Sequence, residues 1–361
     1  MKSNIPVIDT HKYDRYFNAI LTPFKQDSLE IDEDLFREHL RRYTRDPDFL
    51  RIGGAIIVNP EAGETFYLTQ EEQDSLTKIT LQERPKDMPV FSGFYGVSME
   101  EIISSALQTK SLGVDGLFVF PPTGTMEVGV AIDTAKNPEI WTDFVRAIAV
   151  ATQLPLILHP AAPRTQQWGG SLAVESVRML VEEVPSIVGY KFIYGLEHAS
   201  FRVAQFLRSF PRHVAILNAP VAEQQALVLG LVDGAVSGGL NFMKEPIVEH
   251  LLAWQAGDMK KVKKIWSEQV IPINSAVYDD HSRLHIHYKI ATWIRGFIPH
   301  PFMRPPMPPP RLDEIEIIFK AIDKAGLSHI SRSELNRTYA TKKKVLESFW
   351  KKLRVPIEIK A

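Results

Sequence analysis

Ile187-Val188-Gly189-Tyr190-Lys191 is an apolar run that ends on a lysine. A short run of this kind is typical of a parallel β-strand that is covered on both faces. Burying a lysine at the end of such a strand costs free energy, because a buried ammonium loses its hydration. It is useful as chemistry, because a desolvated lysine has a lowered pKa and can form a Schiff base with a carbonyl. Since most lysines after a strand are solvated loop residues, the rest of the chain has to decide between the two interpretations.

Short apolar runs alternate with amphipathic helical patterns on both sides of this stretch. The eight predicted strands are residues 17–21, 54–58, 89–92, 116–120, 154–158, 187–191, 214–217 and 235–237. Strand–helix alternation implies a parallel sheet, and eight repeats predict an α/β fold of the closed (β/α)8 TIM-barrel type. The competing doubly wound sheet usually needs fewer strands and a glycine-rich first turn, and the turn after the first strand is not glycine-rich.

The chain is longer than a barrel alone requires. We expect an N-terminal extension at residues 1–15, the barrel at 16–240, and helices packing on the barrel at 241–327. Residues 328–361 read as an extra C-terminal helical extension. Its apolar face carries Val345, Phe349, Trp350 and Leu353, which should dock on the barrel of the same chain or on a neighbouring subunit.

Composition excludes several classes of protein. The 361 residues are 45% hydrophobic and 24% charged, which is ordinary for a globular chain, and the net charge of −1 indicates no nucleic-acid or anionic-membrane partner. The absence of cysteine excludes disulfides, thiolate zinc sites and cysteine nucleophiles. The first residues lack an apolar signal core, and no apolar run reaches membrane-spanning length. We therefore expect a cytoplasmic protein with neither membrane nor nucleic acid as a partner.

Chemically useful residues cluster where the predicted strands end. In a (β/α)8 barrel the active groups come from the carboxyl ends of the strands. Lys191 occupies such an end, and Glu61, His159 and Val236 lie at or beside others. This coincidence favours the catalytic interpretation of Lys191 over that of a solvated loop residue.

Four segments, taken in order and spacing, resemble the dihydrodipicolinate synthase / N-acetylneuraminate lyase family of class I, Schiff-base-forming aldolases. They are residues 63–64 with 68–69, residues 155–160 with 163–165, residues 187–191 with Gly195, and the Arg-Pro-Pro-Met-Pro-Pro run at 304–309. The resemblance covers roughly residues 17–327. It implies that Lys191 condenses with the keto group of pyruvate or another 2-oxo acid, without a cofactor or metal, in a homodimer or homotetramer. It also implies that the backbone carbonyl of Val236 faces the bound keto acid, with Gly238 allowing close backbone approach.

The sequence departs from this family at the proton relay. His159 stands where the family has a relay tyrosine, and it either shuttles protons near neutral pH or caps the strand end. Glu61-Ala62 replaces the usual Thr-Thr pair that holds the carboxylate of the 2-oxo acid. A carboxylate there repels the carboxylate of the substrate unless it is protonated or paired. Arg164 matches a family arginine near the pocket entrance, where it either binds a substrate carboxylate or tethers a loop.

Two functional hypotheses follow, with a weaker third. The first is a Schiff-base lyase, either an aldolase or a dehydratase, that acts on an atypical 2-oxo acid through Lys191. The second is a barrel that has lost catalysis and serves as a ligand-binding or regulatory protein, as the replaced relay suggests. The third, a metal site at His281, His285 and His287, is disfavoured because no acidic or cysteine ligands converge with them in the sequence.

Overall fold

The computed structural model describes residues 10–121, 136–160, 172–192, 198–218, 230–357 and 359. Within these ranges eight parallel strands pair in chain order, and the last pairs with the first, which confirms the predicted barrel. The strands are β1 (Tyr16–Ala19), β2 (Gly54–Val58), β3 (Val90–Gly93), β4 (Gly116–Val119), β5 (Leu156–Leu158), β6 (Ile187–Lys191), β7 (Ala215–Asn218) and β8 (Gly234–Ser237).

The described helices before the last strand are α1 (Glu33–Thr44), α2 (Pro47–Arg51), α3 (Gln70–Glu83), α4 (Met99–Ser111), α5 (Glu139–Thr152), α6 (Val174–Glu183) and α7 (His198–Ser209). Those after it are α8 (Leu240–Gln255), α9 (Met259–Ile265), α10 (Ile271–Val277), α11 (Leu284–Ile294), α12 (Leu312–Lys324), α13 (Arg332–Tyr339) and α14 (Lys342–Lys352). Both α3 and α4 begin with a capping box, at Thr69 and Ser98, in which the serine or threonine and a glutamate three residues later satisfy each other's backbone amides. None of these helices has the length and apolarity needed to cross a bilayer, within the described ranges.

The chain divides into two compact units, which we call the barrel unit and the helical unit. The barrel unit comprises Met1–Ala19, Gly53–Pro60 and Thr69–Ser237, and it contains all eight strands and helices α3 to α7. The helical unit comprises Ile20–Ile52, Glu61–Leu68 and Gly238–Ala361. The domain limits read from the sequence stay a prediction.

Alternation along the strands divides side chains between the barrel interior and the helix layer. The Phe17 and Phe91 rings meet 5.5 Å apart although β1 and β3 are not neighbours, so both point into the interior. Gly116 is required there, because a Cβ at this position would overlap the Phe91 ring. Phe118 lies two residues further along β4 and therefore shares the inward face of Gly116.

The opposite strand faces build the hydrophobic layer beneath the helices of the barrel unit. Val119, Leu158 and Tyr190 belong to this cluster, together with the apolar faces of α4 to α7. Trp141 of α5 and Val177 of α6 are both buried in it. The layer fixes β4, β5 and β6 against their helices and so sets the positions of their carboxyl ends.

The C-terminal extension docks within its own chain. In the helical unit, Val345 and Leu346 of α14 are buried in a cluster with Phe24, Leu29 and Phe302. The predicted apolar face is thus buried in part: Phe349 packs at the edge of the cluster, whereas Leu353 remains 52% exposed.

Candidate active site

Lys191 and His159 are neighbours at the carboxyl ends of β6 and β5. The Lys191 Nζ lies 3.3 Å from the His159 Nε2. Leu158 pairs with Tyr190 in the sheet, so the next residue along each strand, His159 and Lys191, comes level with the other. The His159 amide donates to the Val119 carbonyl at 2.9 Å, which extends the ladder by one residue and holds the imidazole in place. His159 is 1% exposed and Lys191 is half-buried, so the pair lies in a largely desolvated position that still reaches solvent.

Aromatic rings form the wall beside this pair. The His159 imidazole stacks on the Phe118 ring at 5.1 Å between centroids and 26° between planes, and the Phe120 ring lies 6.1 Å away. The Lys191 Nζ lies 5.6 Å from the Phe118 ring centroid. Aromatic faces exclude water, so the wall shields one side of the amine from solvent. Sequence reasoning missed Phe118. The available signal was its spacing of two residues from Phe120 at the strand end, which places both side chains on the same inward face.

The amine and the imidazole form a unit that can move a proton. An imidazole nitrogen accepts a hydrogen bond from an ammonium or donates one to a neutral amine, depending on its tautomer. A general base must lie within hydrogen-bond reach of the proton that it takes, or reach it through one water. At 3.3 Å the Nε2 of His159 lies at the outer edge of that range from the Lys191 nitrogen.

The helical unit holds a second group of candidate residues, around the phenol of Tyr288. Glu61 and Ala62 lie in the short 3-10 turn Glu61–Gly63, which packs against α11. The Tyr288 hydroxyl donates to the Tyr278 hydroxyl at 2.7 Å. Burial raises the pKa of Tyr288 well above its usual value, with further contributions from Tyr278 and from the negative charge of Glu61. The phenol is therefore held protonated, as a hydrogen-bond donor.

Gly238 faces the same phenol. A Cβ at this position would overlap the Tyr288 ring, so the absence of a side chain makes room for that ring within the helical unit. Sequence reasoning attributed Gly238 to close backbone approach and missed Tyr278 and Tyr288. Nothing local distinguishes the two tyrosines from packing residues.

The Gly63-Glu64 loop is held by a buried ion pair. Glu64 is fully buried with a left-handed backbone at φ 64°, and its Oε1 lies 2.7 Å from the Lys289 Nζ. The same ammonium donates to the Thr22 carbonyl at 2.7 Å, and the Thr22 hydroxyl donates to the Gly63 carbonyl at 2.7 Å. Burial lowers the pKa of Lys289, and the charge of Glu64 opposes that shift. The pair therefore fixes the turn that carries Glu61.

Arg304 completes this framework. Its amide donates to the Glu64 Oε2 at 2.9 Å, and its guanidinium donates to the carbonyls of Leu29 and Tyr67 at 3.0 and 3.1 Å. The arginine that opens the proline-rich run at 304–309 thus acts on the same loop as residues 63–64. Two of the four resembling segments are parts of one hydrogen-bonded structure.

The sequence of this chain matches a known family over most of its length. The model of the dihydrodipicolinate synthetase family matches residues 12–325. The chain belongs to that family. It is therefore an enzyme, a carbon–carbon or carbon–oxygen lyase of the class I aldolase type.

Individual relatives of this dihydrodipicolinate synthetase family member carry different names. The 4-hydroxy-tetrahydrodipicolinate synthase of Methanopyrus kandleri is 26% identical, over 86% of this chain and 95% of the relative. A protein of Oceanobacillus iheyensis named "Probable 5-dehydro-4-deoxyglucarate dehydratase" is 25% identical, over 77% of this chain and 85% of the relative. The E. coli K12 prophage protein YagE, solved in complex with pyruvate, matches the fold with a TM-score of 0.71 at 19% identity, over 87% of this chain and 99% of that one.

The remaining candidate residues of this family member are placed as follows. Val236 is buried in β8, paired with Phe17 of β1, in the barrel unit. Arg164 lies outside the described residues. His287, one of the three histidines considered for a metal, has its Nδ1 2.8 Å from the Val277 carbonyl and its Nε2 3.5 Å from a Glu314 oxygen.

Proposed function

We propose that this protein is a Schiff-base-forming lyase for pyruvate or another 2-oxo acid, with Lys191 as the imine-forming amine and His159 as its proton carrier. The observation that carries the proposal is the 3.3 Å approach of the Lys191 Nζ to the His159 Nε2 beside the Phe118 ring. A lysine nucleophile needs a partner that removes its proton and surroundings that disfavour its charge. The imidazole and the aromatic wall are suited to these two tasks.

The proposed reaction begins with attack of the neutral Lys191 amine on the keto carbon. A carbon–nitrogen bond forms, and the π electrons of the carbonyl move to its oxygen. His159 takes a proton from the attacking nitrogen and passes it to that oxygen, which gives a carbinolamine. The imidazole then delivers another proton, taken up from solvent, to the hydroxyl, which leaves as water and generates the iminium. The iminium then accepts the electron pair left behind when a carbon–hydrogen or carbon–carbon bond at the adjacent carbon breaks. A second transfer through the imidazole returns the proton, and hydrolysis frees Lys191.

The substrate-binding part of the proposal rests on the residues that replace the family pattern. We assign Glu61, Ala62, Arg164, Val236 and Gly238 to substrate contacts. Glu61 beside the Tyr278–Tyr288 phenols favours a hydroxyl-bearing substrate over a second carboxylate, because a glutamate accepts hydrogen bonds from hydroxyls and repels anions. A sugar-acid dehydratase or a hydratase–aldolase fits this preference better than dihydrodipicolinate synthesis. The dehydratase name of the Oceanobacillus relative supports the same direction.

Borohydride trapping tests the proposal. The protein is incubated with pyruvate, then with sugar-derived 2-oxo acids, reduced with sodium borohydride, digested and analysed by mass spectrometry. We expect a reduced adduct on the peptide that contains Lys191 and none in the Lys191→Arg variant, whose guanidinium cannot form the imine. Lys191→Arg keeps the positive charge, so its folding can be verified independently by circular dichroism.

Each other outcome contradicts part of the proposal. An adduct on a different lysine would remove Lys191 from its role. Failure of every 2-oxo acid to form an adduct, with a folded protein, would favour the alternative of a catalytically impaired barrel that binds ligands. We further propose a cytoplasmic homodimer or homotetramer, which sedimentation velocity and cell fractionation test; a monomer or a membrane-associated protein would contradict it.

A further inference from the structure

Three metal-ligating side chains meet on the barrel unit away from Lys191. His11 and Asp14 precede β1, and His213 precedes β7. Residues that precede parallel strands lie at the amino-terminal face of a barrel, whereas Lys191 ends a strand at the carboxyl-terminal face. The cluster is therefore separate from the proposed catalytic pair.

The Asp14 carboxylate contacts a ring nitrogen of each of the two imidazoles. Its Oδ1 is 2.7 Å from the His213 Nε2, and its Oδ2 is 3.2 Å from the His11 Nδ1. The two imidazole rings stack with centroids 4.0 Å apart and planes 13° apart. All three candidate ligand atoms lie within 4.8 Å of one another.

The fold holds the three residues in this arrangement. His11 begins the 3-10 turn His11–Tyr13, and the Asp14 amide donates to the His11 carbonyl at 3.1 Å, which brings both side chains to one side of the turn. Tyr13 anchors the turn, because it is 1% exposed and its ring lies 5.4 Å from the Phe91 ring in the barrel interior. The His213 side chain is 17% exposed and lies two residues before the buried strand β7.

We propose that His11, Asp14 and His213 bind one divalent transition-metal ion, with Zn²⁺ as the best fit. A tetrahedral zinc with bonds of about 2.0–2.2 Å places its ligand atoms roughly 3.3–3.6 Å apart. The His–Asp separations of 2.7 and 3.2 Å are close to that spacing. Because the stacked rings are nearly parallel, the 72% exposed His11 side chain rotates out of the stack so that its nitrogen points at the ion as the metal replaces the bridging protons. Three protein ligands leave one position for water. Two imidazoles among the three ligands disfavour Mg²⁺ and Ca²⁺, which prefer oxygen.

The proposed ion would tie the turn ahead of β1 to the segment that leads into β7. It binds the folded arrangement preferentially, since His213 lies far from His11 and Asp14 in an unfolded chain. It therefore raises the stability of the fold as its concentration increases. The role is structural, and it is independent of Schiff-base chemistry at Lys191.

Isothermal titration calorimetry tests the proposal on the full chain after treatment with EDTA and dialysis. We expect one Zn²⁺ per chain in the wild type, accompanied by a rise in the melting temperature, and no such effect with Mg²⁺. Loss of a residue that only supports a metal ligand weakens metal binding by roughly 10- to 100-fold. His11→Ala and His213→Ala each remove a ligand itself and should therefore weaken zinc binding by more than this. His281→Ala/His285→Ala is the control, because it removes two other histidines and should leave the affinity unchanged.

His11→Ala is the decisive variant, because the His11 side chain is 72% exposed and its loss should not unfold the chain. Equal zinc affinity in His11→Ala, His213→Ala and the control would overturn the proposal, since the ion would then bind elsewhere. Absence of zinc binding in the wild type would also overturn it and would leave the cluster as a hydrogen-bonded contact. Anomalous scattering at the zinc edge, from crystals soaked in zinc chloride, should place the ion between the three side chains.

Discussion

The Lys289 ammonium lies 2.7 Å from the Glu64 carboxylate, and the exposed fractions of the two side chains are 1% and 0%. Each group makes one more hydrogen bond: Lys289 donates to the Thr22 carbonyl, and Glu64 accepts from the Arg304 amide. A buried ion pair contributes little net stability relative to an apolar pair, but its loss on one side leaves an uncompensated buried charge. The pair therefore specifies the conformation of the 63–64 loop more than it stabilises the fold.

Lys289→Met should lower the free energy of unfolding by ~3–5 kcal/mol, because the buried Glu64 then loses its ionic partner. The double variant Lys289→Met/Glu64→Gln should cost less than Lys289→Met alone, since the neutral amide still accepts the Arg304 amide. Urea unfolding followed by circular dichroism measures both. Lys320→Met is the matched control, because Lys320 pairs with Glu316 on the surface with its side chain 68% exposed. Similar losses for Lys289→Met and Lys320→Met would show that the buried pair is unimportant.

His159→Gln should slow proton transfer at the imine. We expect deuterium exchange at the methyl group of pyruvate, followed by NMR in D₂O, to fall by ~10²–10⁴-fold, the usual contribution of a general acid–base group. Trapping at Lys191 by borohydride should persist, only more slowly. His159→Tyr should recover part of the exchange rate with a shifted pH profile, because a phenol also carries protons. Full exchange in His159→Gln would assign the histidine to packing at the strand end.

Gly116→Ala should destabilise the barrel by ~1–3 kcal/mol, the usual cost of overpacking a core. The added methyl would overlap the Phe91 ring, which is buried and packs against the Phe17 ring. Gly189→Ala is the matched control on the same inward face. Its Cβ would meet the Leu217 Cδ1 at 3.0 Å and the Ile157 Cγ1 at 3.2 Å, and these aliphatic side chains can shift slightly. Thermal unfolding of both variants and of Phe91→Leu/Gly116→Ala should show the largest loss for Gly116→Ala alone. A larger loss for Gly189→Ala would contradict this account of the interior.

Buried histidines make the stability of this chain depend on pH. Burial, with smaller contributions from nearby cations, lowers the pKa of His39 from 6.5 to about 4, although a hydrogen bond with Asn241 opposes the shift. Between these values the unfolded chain binds the proton and the folded chain does not, so stability rises with pH across the window. The contribution of the neutral His39 to the free energy of unfolding is fully present above pH 6.5. As the pH falls toward 4, up to about 3 kcal/mol of it is lost. Burial also lowers the pKa of His300 to about 4, which adds a loss of the same sign.

His39→Gln isolates this effect, because the glutamine amide can still donate to the Asn241 oxygen that His39 contacts at 3.0 Å. Urea unfolding at pH 7 and at pH 5 should show a smaller difference in the variant than in the wild type. Most carboxylates keep their charge in this interval, so histidines dominate it. An unchanged difference would contradict a lowered pKa at His39.

Leu346→Ala should test the docking of the C-terminal extension. Leu346 is 5% exposed in the cluster with Phe24, Leu29 and Phe302, so its truncation should cost ~2–4 kcal/mol. Leu353→Ala on the same helical extension should cost less than ~0.5 kcal/mol, because Leu353 is 52% exposed. Urea unfolding compares the two directly. Equal, small losses would mean that the extension does not contribute to the stability of the helical unit.

The sequence by itself determined the eight-stranded barrel, the capping boxes at Thr69 and Ser98, and the position of Lys191 at the end of β6. These features are local, because period-two and period-3.6 patterns and capping spacings are complete within a few residues of the chain. The family resemblance depended on the same short segments.

Only the tertiary structure decided which side chains meet. The approach of His159 to Lys191, the pair between Glu64 and Lys289, and the cluster of His11 and Asp14 with His213 all join segments that are distant in sequence. No local periodicity encodes such contacts, since they depend on barrel register and on which helix packs over which loop. The physical reason is that a desolvated charge or a buried ring is placed by its partners, and these partners are brought together only when the chain folds.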